Sequence, residues 1–275
     1  SCNGGNDGTV TAGAVSGGNS DFEYRLDNGT WQSSNSFTGL SAKTYTLHVK
    51  DSEGCEDSVT VEVIQPDVLN ASVSYTDITC FDANDGTISI TNPTGGFGNY
   101  EFSIDNGANW QASGDFTGLA NATYQIIIRD ADNQTCQIVL DNNLVITQPE
   151  ILTAEITSTN ITCNGSQDGT IQIINPSGGH GQYQYSINGG TSWENSGNYN
   201  NLSNGNYNIQ IRDRDEYGCF ITLNSLYEIT QPEELSVGTS STVNVSCFGG
   251  NDGSITAGTV TGGTAPFQFS IDNAT

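Results

Sequence analysis

The chain has 275 residues, of which 34% are hydrophobic, and its 31 acidic and 6 basic side chains give a formal net charge of −25. Such a charge repels phosphate backbones and anionic lipid surfaces, so nucleic acid and membrane partners are not expected. No apolar run approaches the roughly 18 residues of a membrane-spanning helix, so no membrane insertion is expected in this segment. Aromatic residues make up 9% of the chain and glycine occurs 33 times, which indicates a folded, β-rich protein rather than a disordered acidic one.

A phrase of the form Cys-x-x-x-x-Asp-Gly begins at Cys2, Cys80, Cys163 and Cys247, and this nearly regular spacing indicates an array of repeats. A Gln-Pro pair ends each of the first three repeats, and we place the boundaries directly after these prolines. The predicted domains are a partial repeat at 1–66, complete repeats at 67–149 and 150–232, and the N-terminal part of a fourth repeat at 233–275.

The second repeat illustrates the predicted elements in chain order. Alternating apolar residues follow the linker, and after the Asp-Gly phrase a Gly-Gly pair precedes the alternating strand of Tyr100, Phe102 and Ile104. That strand runs into an Asp-Asn-Gly sequence, which is typical of a hairpin turn. Leu119 then precedes by five positions Tyr124, which begins the clearest strand, and a last strand reaches the Gln-Pro pair.

No segment has the 3.6-residue apolar period of a helix, so the sequence predicts an all-β chain. About seven short strands per repeat, with the Leu-x-x-x-x-Tyr phrase before the penultimate strand, predict tandem immunoglobulin-like or fibronectin-III-like β-sandwich modules with a tyrosine corner. Since only a proline and a few residues join neighbouring modules, we expect a fairly stiff linear rod.

Four phrases recur in the repeats: Cys-Asn-Gly-Gly-Asn-Asp-Gly-Thr at residues 2–9, a Gly-Gly pair before an aromatic strand, Leu-x-x-x-x-Tyr, and the ending Asp-x-x-Gly-Cys at residues 51–55. Together they resemble the SprB repeat, and the resemblance covers the whole chain, once per repeat. It implies a segment of a very large surface protein of gliding and related bacteria, exported by the type IX secretion system. Such a protein forms a cell-surface filament that contacts a substratum.

The seven cysteines lie at regular places, as in oxidised extracellular proteins, and lack the close spacing of zinc or redox sites. In each repeat the first cysteine follows the first strand and the second cysteine precedes the last strand. The cysteines are Cys2, Cys55, Cys80, Cys136, Cys163, Cys219 and Cys247.

Two disulfide schemes remain open on the sequence. Pairing within each repeat joins Cys2 to Cys55, Cys80 to Cys136 and Cys163 to Cys219. Counting strand reversals, however, places the two cysteines of one repeat at opposite poles, and modules stacked end to end would then pair Cys2 with Cys136 and Cys80 with Cys219. A bond across the linker, from Cys55 to Cys80, is a third arrangement.

Acidic residues occur at alternate positions where the penultimate strand ends, as Asp130 with Asp132 and Asp213 with Asp215. Carboxylate oxygens gathered at a module junction are typical of calcium sites that stiffen tandem domains. Tight turns and solvent-exposed carboxylates explain the same residues without a metal, and we favour that interpretation. No other cofactor is expected.

One tryptophan follows each complete hairpin, at Trp31, Trp110 and Trp193. A row of such rings is one way to stack on sugars, but packing of the ring against the sandwich is the favoured interpretation. His48 and His180 have no counterparts in the other repeats, and both are expected to be surface residues.

The sequence therefore predicts a structural and adhesive segment of an extracellular, cell-surface filament. No serine, threonine or cysteine accompanies a recurring histidine as a nucleophile would require, so no enzyme is expected. The expected partners are the neighbouring modules, an extracellular surface or polysaccharide, and other copies of the filament. The alternative function is a set of tandem carbohydrate-binding modules that use the tryptophans and the acidic turns.

Overall fold

The computed structural model describes residues 2–271, which contain 21 β-strands and no helix. The all-β prediction is therefore confirmed. Among these residues there is accordingly no helical segment with the length and apolarity to cross a membrane.

The strands follow the repeats. The first repeat contains β1 (Gly8–Thr11), β2 (Glu23–Leu26), β3 (Ser36–Leu40), β4 (Lys43–Lys50) and β5 (Glu56–Val63). The second contains β6 (Asn70–Thr76), β7 (Gly86–Thr94), β8 (Tyr100–Ser103), β9 (Asp115–Leu119), β10 (Ala122–Asp130) and β11 (Gln137–Ile146). The third contains β12 (Thr153–Thr159), β13 (Gly169–Ser177), β14 (Tyr183–Ser186), β15 (Asn198–Leu202), β16 (Gly205–Asp213) and β17 (Phe220–Ile229). The fourth contains β18 (Ser236–Val237), β19 (Ser241–Val243), β20 (Ser254–Thr256) and β21 (Val260–Thr261).

The chain divides into two compact units. The first comprises residues 1–78 and 84–147, and the second comprises residues 79–83 and 148–275. Each unit thus spans more than one repeat, and the boundaries expected at the Gln-Pro pairs stay predictions.

Each complete repeat is a β-sandwich of two three-stranded antiparallel sheets. The second repeat has the strand orders β6-β7-β9 and β11-β10-β8, and the third has β12-β13-β15 and β14-β16-β17. In the second repeat β7 and β10 are therefore the central strands, whereas β6 and β11 lie at sheet edges. The tandem sandwich fold predicted from the sequence is present.

The number of strands differs from the expected seven, since each complete repeat has six. The stretch between β8 and β9 forms no regular strand. It folds as a tight turn in which Ser103 and Asp105 bind backbone N–H groups, and only an isolated bridge joins Phe102 to Gln111. Side chains that satisfy the backbone locally replace a regular ladder here.

The core of the second repeat lies between its two sheets and follows the alternation of β10. Ile126 and Ile128 are fully buried and point inward, as do Ile88 of β7 and Ile146 of β11. Burying each such side chain stabilises the fold by about 1.5–3 kcal/mol. The third repeat has an equivalent core.

A tyrosine corner is present in each of the first three repeats. The hydroxyl of Tyr124 donates to the backbone carbonyl of Ala120 at 3.0 Å. Tyr45 and Tyr207 donate in the same way to the carbonyls of Ser41 and Ser203. The recurring Leu-x-x-x-x-Tyr phrase encodes this bond, which fixes the entry into the penultimate strand.

Candidate functional site

The loop that carries the first cysteine of a repeat, here called the first-cysteine loop, is held in each of the first three repeats against the end of the last strand of the same repeat. In the first repeat it comprises residues 2–5. Gly4 N donates to Gln65 Oε1 at 2.7 Å, and Asn3 Nδ2 donates to the Pro66 carbonyl at 2.9 Å. The recurring Gln-Pro pair therefore places the first cysteine where the chain leaves the repeat.

The turn that carries the second cysteine, here called the second-cysteine turn, is built on a buried carboxylate. In the second repeat it comprises residues 130–136. Asp130 has no exposed surface, and its two oxygens accept hydrogen bonds from the backbone N–H groups of Phe97, Asp132 and Asn133. Its own backbone N–H donates to the Cys136 carbonyl at 2.9 Å. Such charge-assisted bonds fix the turn and hence the position of the cysteine.

The Gly-Gly pair closes the same end of the module. Gly95 and Gly96 have φ angles of +80° and +58°. A Cβ atom on Gly95 would lie 2.1 Å from the Val68 carbonyl oxygen, and one on Gly96 would lie 2.4 Å from Asp130 Oδ2 and 2.9 Å from Leu69 Cδ2. Only glycine permits both the backbone conformation and this close approach to the linker and the buried carboxylate.

A disulfide bond joins these two elements across the linker. Cys2, in the first-cysteine loop of the first repeat, is bonded to Cys136, in the second-cysteine turn of the second repeat, with a Cα–Cα distance of 5.1 Å. Cys136 is buried in the core of the second repeat, and Cys2 packs against that core. We call the loop, the linker and the turn together the joint.

The next joint has the same construction within the second compact unit. Cys80 is bonded to Cys219 with a Cα–Cα distance of 5.2 Å, and Asp82 N donates to Gln148 Oε1 at 3.0 Å. Asp213 is fully buried and accepts the backbone N–H groups of His180, Asp215 and Glu216. A Cβ atom on Gly179 would lie 2.5 Å from Asp213 Oδ2.

The three remaining cysteines, Cys55, Cys163 and Cys247, are exposed free thiols in the structure. Cys163 nevertheless lies in a loop of the same form, because Asn164 Nδ2 donates to the Pro232 carbonyl and Gly165 N donates to Gln231 Oε1, both at 3.0 Å. Of the pairings that the sequence left open, the structure contains the bonds between neighbouring repeats. It contains neither the bonds within a repeat nor one from Cys55 to Cys80.

His180 was expected to be an incidental surface residue. It is exposed, but its Nε2 lies 3.0 Å from the Thr79 carbonyl oxygen, beside the Cys80–Cys219 bond. The residue therefore belongs to this joint. The aligned position of the second repeat holds Phe97, so a comparison of the repeats could not have revealed this role of His180.

The geometry gives the calcium hypothesis no support. Within residues 2–271 no group of three or more His, Cys, Asp or Glu side chains is arranged to hold a metal ion. Asp130 and Asp213 were expected to be exposed, and both are buried, because they continue the inward-facing alternation of β10 and β16. Their oxygens face N–H donors, which favours a carboxylate without a cation. Asp132 and Asp215 are exposed.

The first repeat has the same carboxylate at Asp51. It accepts hydrogen bonds from the backbone N–H groups of Asn19, Cys55 and Glu53. These donors, above all Asn19 and then Cys55, hold the pKa of the Asp51 carboxyl below its ordinary value. The carboxylate and the turn that it supports are therefore coupled.

The three tryptophans are half-buried, and each has a cation on its ring. The distance from the guanidinium carbon to a ring centre is 4.4 Å for Arg25 over Trp31, 4.0 Å for Arg129 over Trp110 and 4.4 Å for Arg212 over Trp193. Trp110 Nε1 also donates to the Gly107 carbonyl at 2.9 Å. A ring that already stacks on an arginine has one face less for a sugar, so this arrangement favours packing over carbohydrate binding.

The SprB repeat family model matches residues 1–30, 72–109, 156–192 and 239–275, which together make up more than half of the chain. The chain belongs to the SprB repeat family. The matched parts of the SprB repeats contain every first-cysteine loop and every Gly-Gly pair. The tryptophans and the second-cysteine turns lie outside them. The partners of the two disulfides are thus divided between matched and unmatched segments.

Among solved structures, this SprB-repeat chain is similar to the three N-terminal domains of the bacteriophage RB49 Highly Immunogenic Outer Capsid protein (Hoc), with 12% identity and a TM-score of 0.36. That match covers 73% of this chain and 71% of the other. No curated protein matches the chain.

Sequence reasoning missed two parts of the joint. The glutamine of each Gln-Pro pair was used only to mark a boundary, and the asparagine of Cys-Asn-Gly only as part of a phrase. Both hold the first-cysteine loop in place. The signal that could have found them is their shared recurrence in the first and third repeats.

Proposed function

We propose that the chain is a structural and adhesive segment of an extracellular filament on a bacterial cell surface, which serves attachment or gliding and is exported by the type IX secretion system. The observation that supports this proposal most is the covalent joint, because it links the core of one repeat to a loop of the repeat before it. Disulfides persist in oxidising surroundings such as the cell exterior.

The joint suits a protein that is pulled. A disulfide with a sequence separation of 134 residues removes chain entropy from the unfolded state worth about 5 kcal/mol in the loop-closure model. Since each bond spans two repeats, separating or unfolding either repeat meets this covalent restraint. This role is mechanical and requires no catalysis.

The charge of −25 supports the same role. Exposed carboxylates keep a polar surface hydrated and cause neighbouring filaments to repel each other. We propose that the partners are the adjoining repeats, an extracellular surface or polysaccharide, and other copies of the filament.

Localisation is tested with antibodies raised against the 275-residue chain. We expect them to label intact cells of the producing bacterium and to lose that surface label in a strain that lacks type IX export. A label that appears only after permeabilisation of wild-type cells would contradict the proposal.

Adhesion is tested with beads that carry the purified chain in a flow chamber over bare and polysaccharide-coated surfaces. We expect retention under flow that persists in the double variant W110A/W193A, with the wild-type chain and uncoated beads as controls. Retention on polysaccharide that this variant abolishes while circular dichroism shows it still folded would instead support carbohydrate-binding modules. Beads released as readily as uncoated ones would reject the adhesive role while leaving the filament role intact.

A further inference from the structure

The two disulfides are interleaved along the chain. Cys80 lies inside the stretch closed by the Cys2–Cys136 bond, and Cys136 lies inside the stretch closed by the Cys80–Cys219 bond. The first bond holds Cys2 and Cys136 together, and the second holds Cys80 and Cys219 together. Three chain segments therefore run in parallel from the first bonded pair to the second. These segments run from Cys2 to Cys80, from Cys80 to Cys136 and from Cys136 to Cys219, and the middle segment is the shortest.

We propose that these interleaved disulfides transfer mechanical load from the linkers and edge strands of the second repeat to its central strands, and thereby limit how far the chain can be drawn out. The shortest of the three parallel segments sets the limit. It runs backwards through the second repeat, from Cys136 to Cys80, so a pull on the array enters that repeat at its second-cysteine turn and leaves at its first-cysteine loop.

This segment begins and ends beside a central strand. It contains the central strands β7 and β10 together with the edge strands β8 and β9, and it excludes β6, β11 and the linkers at both ends. Strands β7 and β10 are central, so drawing either out of its sheet breaks two hydrogen-bonded ladders. In a chain without disulfides the pull falls on β6 and β11, which are edge strands held by one ladder each.

Both points of load are reinforced. At the entry, three backbone N–H groups bind the buried Asp130 carboxylate directly beside Cys136. At the exit, the backbone N–H of Asp82 binds Gln148 Oε1 at 3.0 Å. Force that arrives through the sulfur atoms therefore meets hydrogen-bonded turns rather than loose loops.

The limit on extension follows from chain geometry. At about 3.5 Å per residue, the segment from Cys80 to Cys136 reaches roughly 200 Å, whereas the stretch from Cys2 to Cys219 reaches roughly 760 Å once both bonds are absent. This transfer of load away from the linkers depends on the proposed mechanical role only for its biological use. The load path itself is a property of the isolated chain, so a failed adhesion assay and a failed pulling assay are distinguishable.

The test is single-molecule pulling on the full chain by handles at its two termini, with Cys55, Cys163 and Cys247 replaced by serine to prevent thiol exchange. The oxidised parent is compared with C2S, C80S and the double variant C2S/C80S. The tail after Cys219 is common to all four chains and cancels.

The load path predicts contour increments that do not add. Relative to the parent, C2S is expected to lengthen the extended chain by roughly 80 Å and C80S by roughly 95 Å. The double variant is expected to lengthen it by roughly 560 Å. Its repeats are also expected to open at lower force, because edge strands then carry the pull. If the double variant folds poorly, the parent chain with both disulfides reduced provides the same comparison.

A C2S variant no longer than the parent, with C80S and the double variant each longer by roughly 200 Å, would overturn the proposed path and indicate a bond from Cys80 to Cys136 within the second repeat. Equal opening forces in the parent and the double variant would overturn the transfer of load to the central strands.

Discussion

Gly96 lies so close to Asp130 that a Cβ atom at position 96 would be 2.4 Å from the carboxylate oxygen Oδ2. The third repeat has the same relationship between Gly179 and Asp213, at 2.5 Å. A glycine that follows the second strand of the repeat and an aspartate at the end of its penultimate strand thus form one structural unit. This unit shapes the turn on which the disulfide to the preceding repeat depends.

We predict that Gly96→Ala destabilises the second repeat by roughly 2–4 kcal/mol, which combines the cost of a positive φ for a residue with a Cβ and the collision with Asp130. Urea unfolding monitored by tryptophan fluorescence measures the change. Gly98→Ala is the matched control, because Gly98 has a φ of +97° but no atom within 4 Å of its Cβ position. Equal losses of unfolding free energy in Gly96→Ala and Gly98→Ala would show that the contact with Asp130 contributes nothing to stability.

Asp130→Asn is predicted to loosen the second-cysteine turn. The amide nitrogen would face backbone N–H donors, and loss of a buried, charge-assisted network costs roughly 2–4 kcal/mol. We expect more free Cys136 thiol after oxidative refolding, measured by alkylation and mass spectrometry. The exposed Asp132→Asn is the control and is expected to behave as the wild-type chain does.

The same network predicts no response to calcium. Addition of millimolar calcium, or of a chelator, is expected to leave the melting temperature unchanged, because the oxygens of Asp130 and Asp213 are bound by N–H groups. A rise in melting temperature that saturates with calcium and disappears in the variant D130N would restore the calcium hypothesis.

Trp110 is predicted to stabilise its repeat rather than to bind a ligand. Trp110→Ala is expected to cost roughly 2–4 kcal/mol, mostly through lost packing and in part through the contact with Arg129. Arg129→Ala is expected to shift the Trp110 emission to longer wavelength at a smaller cost in stability. Glycan-array binding by the wild-type chain that either variant abolishes would speak against this account.

Acid is predicted to loosen the second-cysteine turn of the first repeat. The folded-state pKa of Asp51 is lowered, so its contribution to stability is fully present above the ordinary carboxyl value and is lost as the pH falls below about 4. Lower protection of the Cys55 and Asn19 amides against hydrogen exchange at pH 3.5 than at pH 6, each corrected for the intrinsic rate and compared with amides in the adjoining strands, is the expected sign. In Asp51→Asn these two amides should be weakly protected at both pH values, and a pH dependence that persists there would assign the effect to another group.

The sequence predicted the class of fold well because strand alternation and turn residues are local signals. The alternation of Tyr124, Ile126 and Ile128 falls on β10, and the Leu-x-x-x-x-Tyr phrase forms the tyrosine corner. The expected number of about seven strands was one too high; between β8 and β9 the side chains of Ser103 and Asp105 accept backbone N–H hydrogen bonds in place of a ladder. The alternation of apolar residues does not show where side chains compete with a neighbouring strand for backbone N–H groups.

The joint could be predicted only in part. Counting strand reversals gave the bond from Cys2 to Cys136 as one of the open pairings. Nothing in the sequence, however, shows which ends of neighbouring repeats lie together. The burial of Asp130 was missed because a carboxylate in an Asp-rich turn is expected at the surface. Its place in the inward alternation after Ile128 was the available signal, and it conflicted with the usual cost of burying a charge.

The pairing of the cysteines tests the central claim most directly. The oxidised chain is alkylated at its free thiols, digested without reduction by a protease that cleaves at aspartate, and mapped by mass spectrometry. We predict linked peptides that join Cys2 to Cys136 and Cys80 to Cys219, with Cys55, Cys163 and Cys247 alkylated. A linked peptide that joins Cys80 to Cys136 would contradict the covalent joint between repeats.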